Sequence, residues 1–230
     1  MAVIGILTCE ILELEFAHLL KSDPDVARLT VLEDSRSERL IDKIRASGLQ
    51  NHRQLLQLIP QVDEFTATPS ITLEVLVRVM ELALHDRKKN LQEALVKAAF
   101  EMSPHVEAIF LGYGLCGNAL DRPEVLLADA GVPVFIPMDE DHPVDDCVGL
   151  LLGGRRCYYG EQCKTAGTFF MIPGWTSHWK RIFDKNFGQM NMDMAKRLFA
   201  HYERSLLVTT PLMSEDVMQR DIVGFNNMFG

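Results

Sequence analysis

The chain has 230 residues, of which 47% are hydrophobic and 24% charged, and its 23 basic and 32 acidic side chains leave a net charge of −9. This is the composition of a globular protein, long enough to bury roughly 70% of its unfolded surface without disulfide bonds, and its negative charge disfavours binding to nucleic acid or anionic lipid. No apolar run approaches the ~20 residues of a membrane span and the N-terminus lacks the basic start of a signal peptide, so we expect a cytoplasmic protein.

The first part of the chain alternates strand and helix patterns. Residues 2–8 form a short apolar, β-branched run that suits a strand buried on both faces, and this run ends at Cys9. Near-helical spacing of apolar residues predicts a helix over 10–21, and a second strand and a second helix are predicted over 29–32 and 38–46. This β-α-β-α order is typical of a parallel sheet.

The middle of the chain is harder to interpret. Prolines and hydroxyl residues crowd residues 51–73, which predicts an irregular excursion. Two helices are predicted over 72–85 and 90–102, and the charged join between them is compatible with a bend in one long helix. Strands then resume at 108–111 (AIFL) and 132–136 (VPVFI).

The C-terminal part continues with both patterns. Strands are predicted over 167–172 and 206–209, and helical patterns cover 147–152, 179–183, 192–202 and the tail 214–230. The sequence therefore predicts an α/β protein with one or more mostly parallel sheets flanked by helices. We expect a single α/β unit over 1–230, and the repeated strand–helix order leaves open two Rossmann-like halves, with subdomains of about 1–105 and 106–230.

Three of the five cysteines fall where parallel α/β sheets bind ligands, beyond the carboxyl ends of strands. Cys9 ends the first strand, Cys116 lies in the loop GYGLCGN after AIFL, and Cys147 begins the helix that follows VFIP. The fold would bring these strand ends to one edge, so we predict a shared site in which the three thiolates bind a metal. Helix N-terminal amides are expected to lower a thiol pKa, although each cysteine alone is also compatible with core filling.

Other residues near these positions complete the predicted site. The glycines of the GYGLCGN loop permit a close approach of the backbone to a ligand, and Trp175 offers a flat apolar platform, although core packing is the commoner role of tryptophan. We therefore take Tyr113, Gly114 and Trp175 as cofactor-binding residues. Asp146 either orients a ligand or caps a helix.

Several kinds of site are disfavoured by the sequence. Cys157 and Cys163 have a C-x5-C spacing that matches no standard zinc pair, so they are left outside the site. The GYGLCGN loop is not a dinucleotide fingerprint, because Asn118 stands where the third glycine is needed. Hydrolase and Walker motifs are absent from the sequence.

Four motifs together carry a family resemblance: LTCEIL, GYGLCGN, DDCVGLLLGG and GTFFMIPGWTSHW. They resemble the domain of unknown function 1638 family of methanogens and anaerobic bacteria, over roughly residues 3–12 and 106–210. By motif, the family's cysteines correspond to Cys9, Cys116 and Cys147. Members of the family often occur beside corrinoid-dependent methyltransferases, so the resemblance implies a role in, or accessory to, one-carbon methyl transfer, with a corrinoid protein or methyltransferase as partner.

Three functions are compatible with these observations. The first is a metal- or metallocofactor-binding protein with three thiolate ligands and an open fourth position, for which zinc or an iron–sulfur cluster suits the soft ligands best. The second is a metal-free thiol enzyme with Cys116 as nucleophile. The third is a binding or scaffold partner of a methyltransferase in which the cysteines are simply buried. Catalysis, substrate and oligomeric state stay open at this point.

Overall fold

The structure is a computed structural model that describes residues 2–46, 54–165, 167–188 and 192–229. Six strands form its central sheet: β1 (Ala2–Cys9), β2 (Arg28–Leu32), β3 (Leu55–Ile59), β4 (Leu73–Met80), β5 (Ala108–Gly112) and β6 (Val134–Phe135). All six are parallel and lie in the order β3-β2-β4-β1-β5-β6. The predicted fold class, an α/β protein with a mostly parallel sheet flanked by helices, is confirmed.

Helices cover both faces of the sheet, because its strands bury side chains on both sides. On one face, α1 (Glu13–Ser22) and α2 (Glu38–Ala46) pack against the sheet. A 3-10 turn, Glu10–Leu12, connects β1 to α1. On the other face, α3 (Lys88–Met102) contributes a row of buried leucines and alanines. The core is therefore two apolar layers separated by the sheet.

The segment 72–85 is a strand rather than the predicted helix. β4 pairs with β1 on one side and with β2 on the other, so it lies inside the sheet. Its valines pack on the face of α1, whereas Leu76 and Met80 pack on the face of α3. Apolar residues thus occupy consecutive positions, a pattern that does not distinguish a strand from a buried helix. The bend in one long helix is also wrong, since α3 begins only at Lys88.

The stretch 51–73 was expected to be irregular, but part of it forms the edge strand β3. Residues 51–53 lie outside the described part of the chain. β3 (LLQLI) pairs with β2 at the edge of the sheet, and its first residue, Leu55, is 61% exposed. The remainder up to β4 contains a 3-10 turn, Val62–Glu64, and is otherwise irregular, as predicted.

Short elements follow β5, one before and the others after the last strand of the sheet, β6. These are α4 (Pro123–Leu126), the hairpin strands β7 (Met138–Asp139) and β8 (His142–Pro143), α5 (Cys147–Leu152) and α6 (Arg155–Lys164). The strand predicted over 132–136 is reduced to the two residues of β6, and α6 covers a segment whose sequence was ambiguous.

The C-terminal part builds a second, smaller parallel sheet from β9 (Thr168–Met171) and β10 (Arg204–Leu207). Four helices accompany it: α7 (Pro173–Phe187), α8 (Met192–Phe199), α9 (Glu215–Asp221) and α10 (Val223–Phe229). An aromatic-rich cluster that includes Trp179 and Phe225 forms its core. None of the helices in the described part of the chain has the length and apolar character that a bilayer span requires.

The strand order creates one topological switch point. The chain leaves β1 towards β2 on one side of the sheet, and it leaves β5 towards β6 on the other side. β1 and β5 are neighbours, with Thr8 paired to Gly112 at their carboxyl ends. In open parallel sheets a crevice forms where neighbouring connections diverge, and ligands bind there. Cys9, the last residue of β1, lies at this crevice.

Candidate functional site

Cys9 and the end of β5 are neighbours in the sheet, and the side chains of Thr8 and Phe16 fill the space beside Gly112. Cys9 is 7% exposed. A Cβ atom placed on Gly112 would lie 2.5 Å from Thr8 Oγ1 and 2.6 Å from Phe16 Cζ. A side chain at this position would push β5 or α1 away, so the glycine allows the loop after β5 to begin directly beside the Cys9 thiol.

Backbone hydrogen bonds bring Cys116 next to Cys147. The Leu115 amide donates to the Val144 carbonyl at 2.9 Å, and the Cys116 amide donates to the Asp145 carbonyl at 2.8 Å. The loop after β5 is thereby fixed to the segment that leads into α5. Because Cys147 is the first residue of α5, two cysteines far apart in sequence enter the same site.

The GYGLCGN loop needs glycine for contact with its own chain. A Cβ on Gly114 would lie 2.6 Å from the Val144 carbonyl oxygen, so the close approach expected of this residue is to neighbouring backbone. The following turn places Cys116, Gly117 and Asn118 all in the left-handed region, with φ of 50°, 62° and 68°. Such conformations cost energy in non-glycine residues and are concentrated at functional sites. Here the turn directs the Cys116 side chain to the crevice side of the loop.

Asp146 caps α5. Its Oδ1 accepts a hydrogen bond from the Gly149 amide at 2.7 Å, and its Oδ2 accepts one from the Tyr158 hydroxyl at 3.0 Å. Of the two roles considered for this residue, helix capping is the one that the hydrogen bonds support. The cap fixes the start of α5 and therefore the position of Cys147.

A cavity of about 730 Å³ lies at the switch point, and we call it the chamber. All six residues singled out in the sequence line it: Cys9, Tyr113, Gly114, Cys116, Cys147 and Trp175. Cys157 and Cys163 are exposed on α6 and are not among its lining residues. The structure thus brings together the residues chosen for the site and leaves out the two cysteines that were set aside.

Cys9 is buried, Cys116 and Cys147 are partly buried, and neighbouring thiols contribute to the raised pKa of Cys116 and of Cys147. Burial, reinforced by nearby Glu10, raises the pKa of Cys9 to about 11, and burial together with the Cys9 charge raises the pKa of Cys116 to about 12. The pKa of Cys147 is also raised well above its usual range, first by burial and then by Cys116. The expectation that helix amides lower a thiol pKa here is wrong, because desolvation outweighs them.

Tyr113 adds a buried hydroxyl that lacks a partner. The residue is 3% exposed, and burial raises its pKa well above the usual range, with further contributions from Cys9, Cys116 and Cys147. Its hydroxyl lies beside the Cys9 thiol, but it makes no hydrogen bond of regular geometry within the described residues. An unsatisfied buried donor among three thiols is costly in the free protein and suits an additional acceptor at this point.

The opposite wall of the chamber is aromatic and comes from the C-terminal part. Helix α7 packs on the turn after β1 so closely that a Cβ on Gly174 would lie 1.8 Å from the Ile11 carbonyl oxygen. Besides Trp175, this wall contains Phe169, Trp179, Phe183, Phe199 and Tyr202. Sequence reasoning missed these five, although the aromatic-rich stretch GTFFMIPGWTSHW gave a signal by its composition.

A second group of potential ligands lies next to the chamber, and sequence reasoning missed it as well. Ligand atoms of Glu10, Glu13 and His178 lie within 4.8 Å of one another, and all three residues are buried. Glu13 Oε1 is 2.9 Å from His178 Nε2 and 3.0 Å from an Arg39 guanidinium nitrogen. Arg181 donates to both carboxylate oxygens of Glu10. Two carboxylates are thus matched by two guanidinium groups.

Comparison with known proteins identifies the family. A family model described as a protein of unknown function, DUF1638, matches residues 79–230. The chain belongs to the DUF1638 family. Cys116, Cys147 and Trp175 lie within the DUF1638 match, whereas Cys9 precedes it. No functionally described protein matches the chain, and neither does any solved structure.

Proposed function

We propose that this DUF1638 protein holds a metal centre through Cys9, Cys116 and Cys147. The observation that carries the proposal is the combination of one buried and two partly buried thiols in one cavity with no positive side chain to accompany them. Among the described residues that line the chamber there is no lysine or arginine. Metal binding releases protons from thiols, and a cation among the three sulfur atoms would stabilise the thiolate forms that burial, and to a smaller extent neighbouring charges, disfavour.

An iron–sulfur cluster fits the described spacing better than a single zinc ion. Three thiolates on one zinc ion lie about 4 Å apart, whereas thiolates that bind different irons of one cluster lie farther apart. Within the described residues, the group with ligand atoms inside 4.8 Å of one another is Glu10, Glu13 and His178, and the cysteines do not form such a group. The cysteines nevertheless influence one another's pKa, so they are near neighbours.

The surrounding residues have distinct roles in this proposal. The Tyr113 hydroxyl, which has no hydrogen-bond partner in the described structure, would donate a hydrogen bond to a sulfur atom of an occupied site and so adjust the electronic properties of the centre. Asp146 holds Cys147 in place through α5, and Trp175 shields the site from water. When bound, the centre would supply a Lewis acid or a one-electron site on its open side.

The family association gives the proposal its biological direction. In this proposal the protein acts in, or is accessory to, corrinoid-linked one-carbon methyl transfer in the cytoplasm of an anaerobe, beside a corrinoid protein or a methyltransferase. All five cysteines are free thiols, which accords with a reducing compartment. The metal-free alternative is less favourable, because Cys116 with a pKa near 12 holds almost no thiolate at neutral pH.

The test is metal analysis of protein purified without exposure to oxygen. We expect iron and acid-labile sulfide with broad absorbance near 400 nm; a colourless protein with one zinc per chain would support the single-ion version instead. Cys116→Ala should lose at least nine-tenths of the metal, whereas the matched control Cys163→Ala, on the exposed face of α6, should retain it. Full metal content in Cys116→Ala would contradict the proposed ligand set.

A further inference from the structure

The chamber is larger than a metal centre requires, and its remaining walls indicate what else it admits. At about 730 Å³ it falls within the range of sites for organic ligands. The three cysteines occupy one end, at the strand termini. The rest is bounded by apolar side chains and by six aromatic residues: Phe169, Trp175, Trp179, Phe183, Phe199 and Tyr202.

The charge of the lining excludes anionic ligands. Its ionisable side chains are Asp146, His85, two tyrosines and the three cysteines, and the described lining contains no lysine or arginine. A phosphate or carboxylate would therefore enter an apolar space without a cationic partner, which is costly. His85 does not change this conclusion, because its side chain is half-exposed and paired with Asp86 at 3.7 Å.

The proposed metal centre would disfavour anionic ligands further, because it carries a net negative charge. A divalent ion or a cluster core of charge 2+ that is held by three thiolates leaves one net negative charge. Asp146 contributes another on the same wall, and its carboxylate is hydrogen-bonded but not ion-paired in the described structure. A ligand in the chamber thus faces negative charge on one side and aromatic rings on the other.

We infer that the chamber binds an organic cation with an apolar surface, of the methylated ammonium class. Aromatic rings attract such cations through their negative faces, and the attraction is strongest where water is excluded. Methyl groups on the cation lower its desolvation cost and fit apolar walls. The inference deepens the proposed function, on which part of the charge argument rests, whereas the aromatic walls and Asp146 do not depend on a metal.

The chain provides its own reporter for a direct test. It contains two tryptophans, Trp175 and Trp179, and both line the chamber. Tryptophan fluorescence should therefore report on occupancy without a label. The probes are choline, its uncharged carbon isostere 3,3-dimethylbutan-1-ol, and the anion 3,3-dimethylbutanoate, each titrated into metal-free and metal-loaded protein.

We expect saturable binding of choline, at least about tenfold weaker binding of the isostere, and no binding of the anion. Choline should bind several-fold more tightly to the loaded protein. Trp175→Leu should weaken the binding of choline more than that of the isostere. Trp175→Phe keeps an aromatic ring, so its preference for choline over the isostere should be close to that of the wild type. Leu198→Ala, which shortens an aliphatic wall residue, should weaken the binding of both probes to the same extent.

Equal or tighter binding of the isostere, binding of the anion, or no binding of choline to either form would overturn the inference. Metal content measured on the same samples separates this result from the proposed function. A choline preference in protein that retains no metal would support the cation site and contradict the metal centre. Full metal content without a preference for choline would support the metal centre and contradict the cation site.

Discussion

Two groups of potential metal ligands lie side by side at the end of β1, and they differ in what neutralises them. Glu10, Glu13 and His178 have the tighter spacing, but Arg39 and Arg181 already compensate their charge. The three cysteines are more loosely grouped, and the described lining around them provides no cation. The arginines leave little unbalanced charge for a cation at the first group, whereas thiolates formed by metal binding at the second group would be balanced by the metal alone.

The largest expected effect is the loss of metal when one of the three cysteines is replaced. Cys9→Ala should lower the metal content of anaerobically purified protein at least tenfold, because two thiolates do not hold a centre built for three. Glu10→Gln, one residue away in the arginine-compensated group, should leave the metal content unchanged. Loss of metal in Glu10→Gln with retention in Cys9→Ala would reverse the assignment of the two groups.

The second largest effect is a loss of stability when an ion pair of the group Glu10, Glu13 and His178 is removed. Glu13→Gln leaves Arg39 and His178 facing a neutral amide, so we expect the free energy of unfolding to fall by about 2 kcal/mol, reduced from the fully buried value because Arg39 is 41% exposed. Urea denaturation would measure this, with exposed Glu64→Gln as the control. An unchanged stability would mean that the ion pairs contribute nothing to the fold.

Glu15, on α1, provides a smaller effect that depends on pH. Burial raises its pKa from 4.5 to about 7, with a smaller contribution from Glu13, and neither of its carboxylate oxygens has a hydrogen-bond partner in the described structure. Between these values the folded state retains a proton that the unfolded state releases, so the free energy of unfolding falls as pH rises from about 5 to about 8.

The decline should amount to about 2 kcal/mol in the wild-type protein and be absent in Glu15→Gln. Urea denaturation at several pH values would measure both curves, and Glu64→Gln should behave like the wild type. Parallel curves for wild type and Glu15→Gln would show that the carboxyl does not titrate in this range.

The smallest effect concerns Tyr113. Tyr113→Phe removes a buried hydroxyl without a partner, so the metal-free protein should be as stable as the wild type or more stable by up to about 1 kcal/mol. The loaded protein should retain its metal, but a cluster should be reduced at a more negative potential, because a hydrogen bond to sulfur is lost. An unchanged potential would remove Tyr113 from the site's function.

The sheet could be predicted from the sequence wherever burial left a clear pattern. The run over 2–8 and the helix over 38–46 agree with β1 and α2 almost to the residue. The predicted helix over β4 is wrong because valines on one face and leucine on the other leave no alternation. The strand β3 (LLQLI) was missed because the prolines and hydroxyl residues that follow its short apolar run indicated an irregular segment. The strand ends with their cysteines were still predictable, since parallel strands share a carboxyl edge.

The rest of the site depends on contacts that no local pattern contains. Glu13 and His178 are 165 positions apart, and their pairing follows from the docking of α7 on the turn after β1. The aromatic wall has the same origin, because Phe199 and Tyr202 reach the chamber from another part of the chain. The predicted lowering of the thiol pKa values was also wrong, because the sequence indicates that a cysteine is close to the start of a helix but not how far it is desolvated.

The connection between β1 and β5 also has a consequence for biogenesis. More than half of the chain separates Cys9 from Cys147, and their meeting requires β5 to have paired with β1. Contacts of such long range form slowly, because the loop-closure entropy must be paid before they stabilise the chain. A metal centre of the proposed kind could therefore be completed only after β5 has paired with β1, with the inorganic group entering through the crevice at the carboxyl ends of the strands.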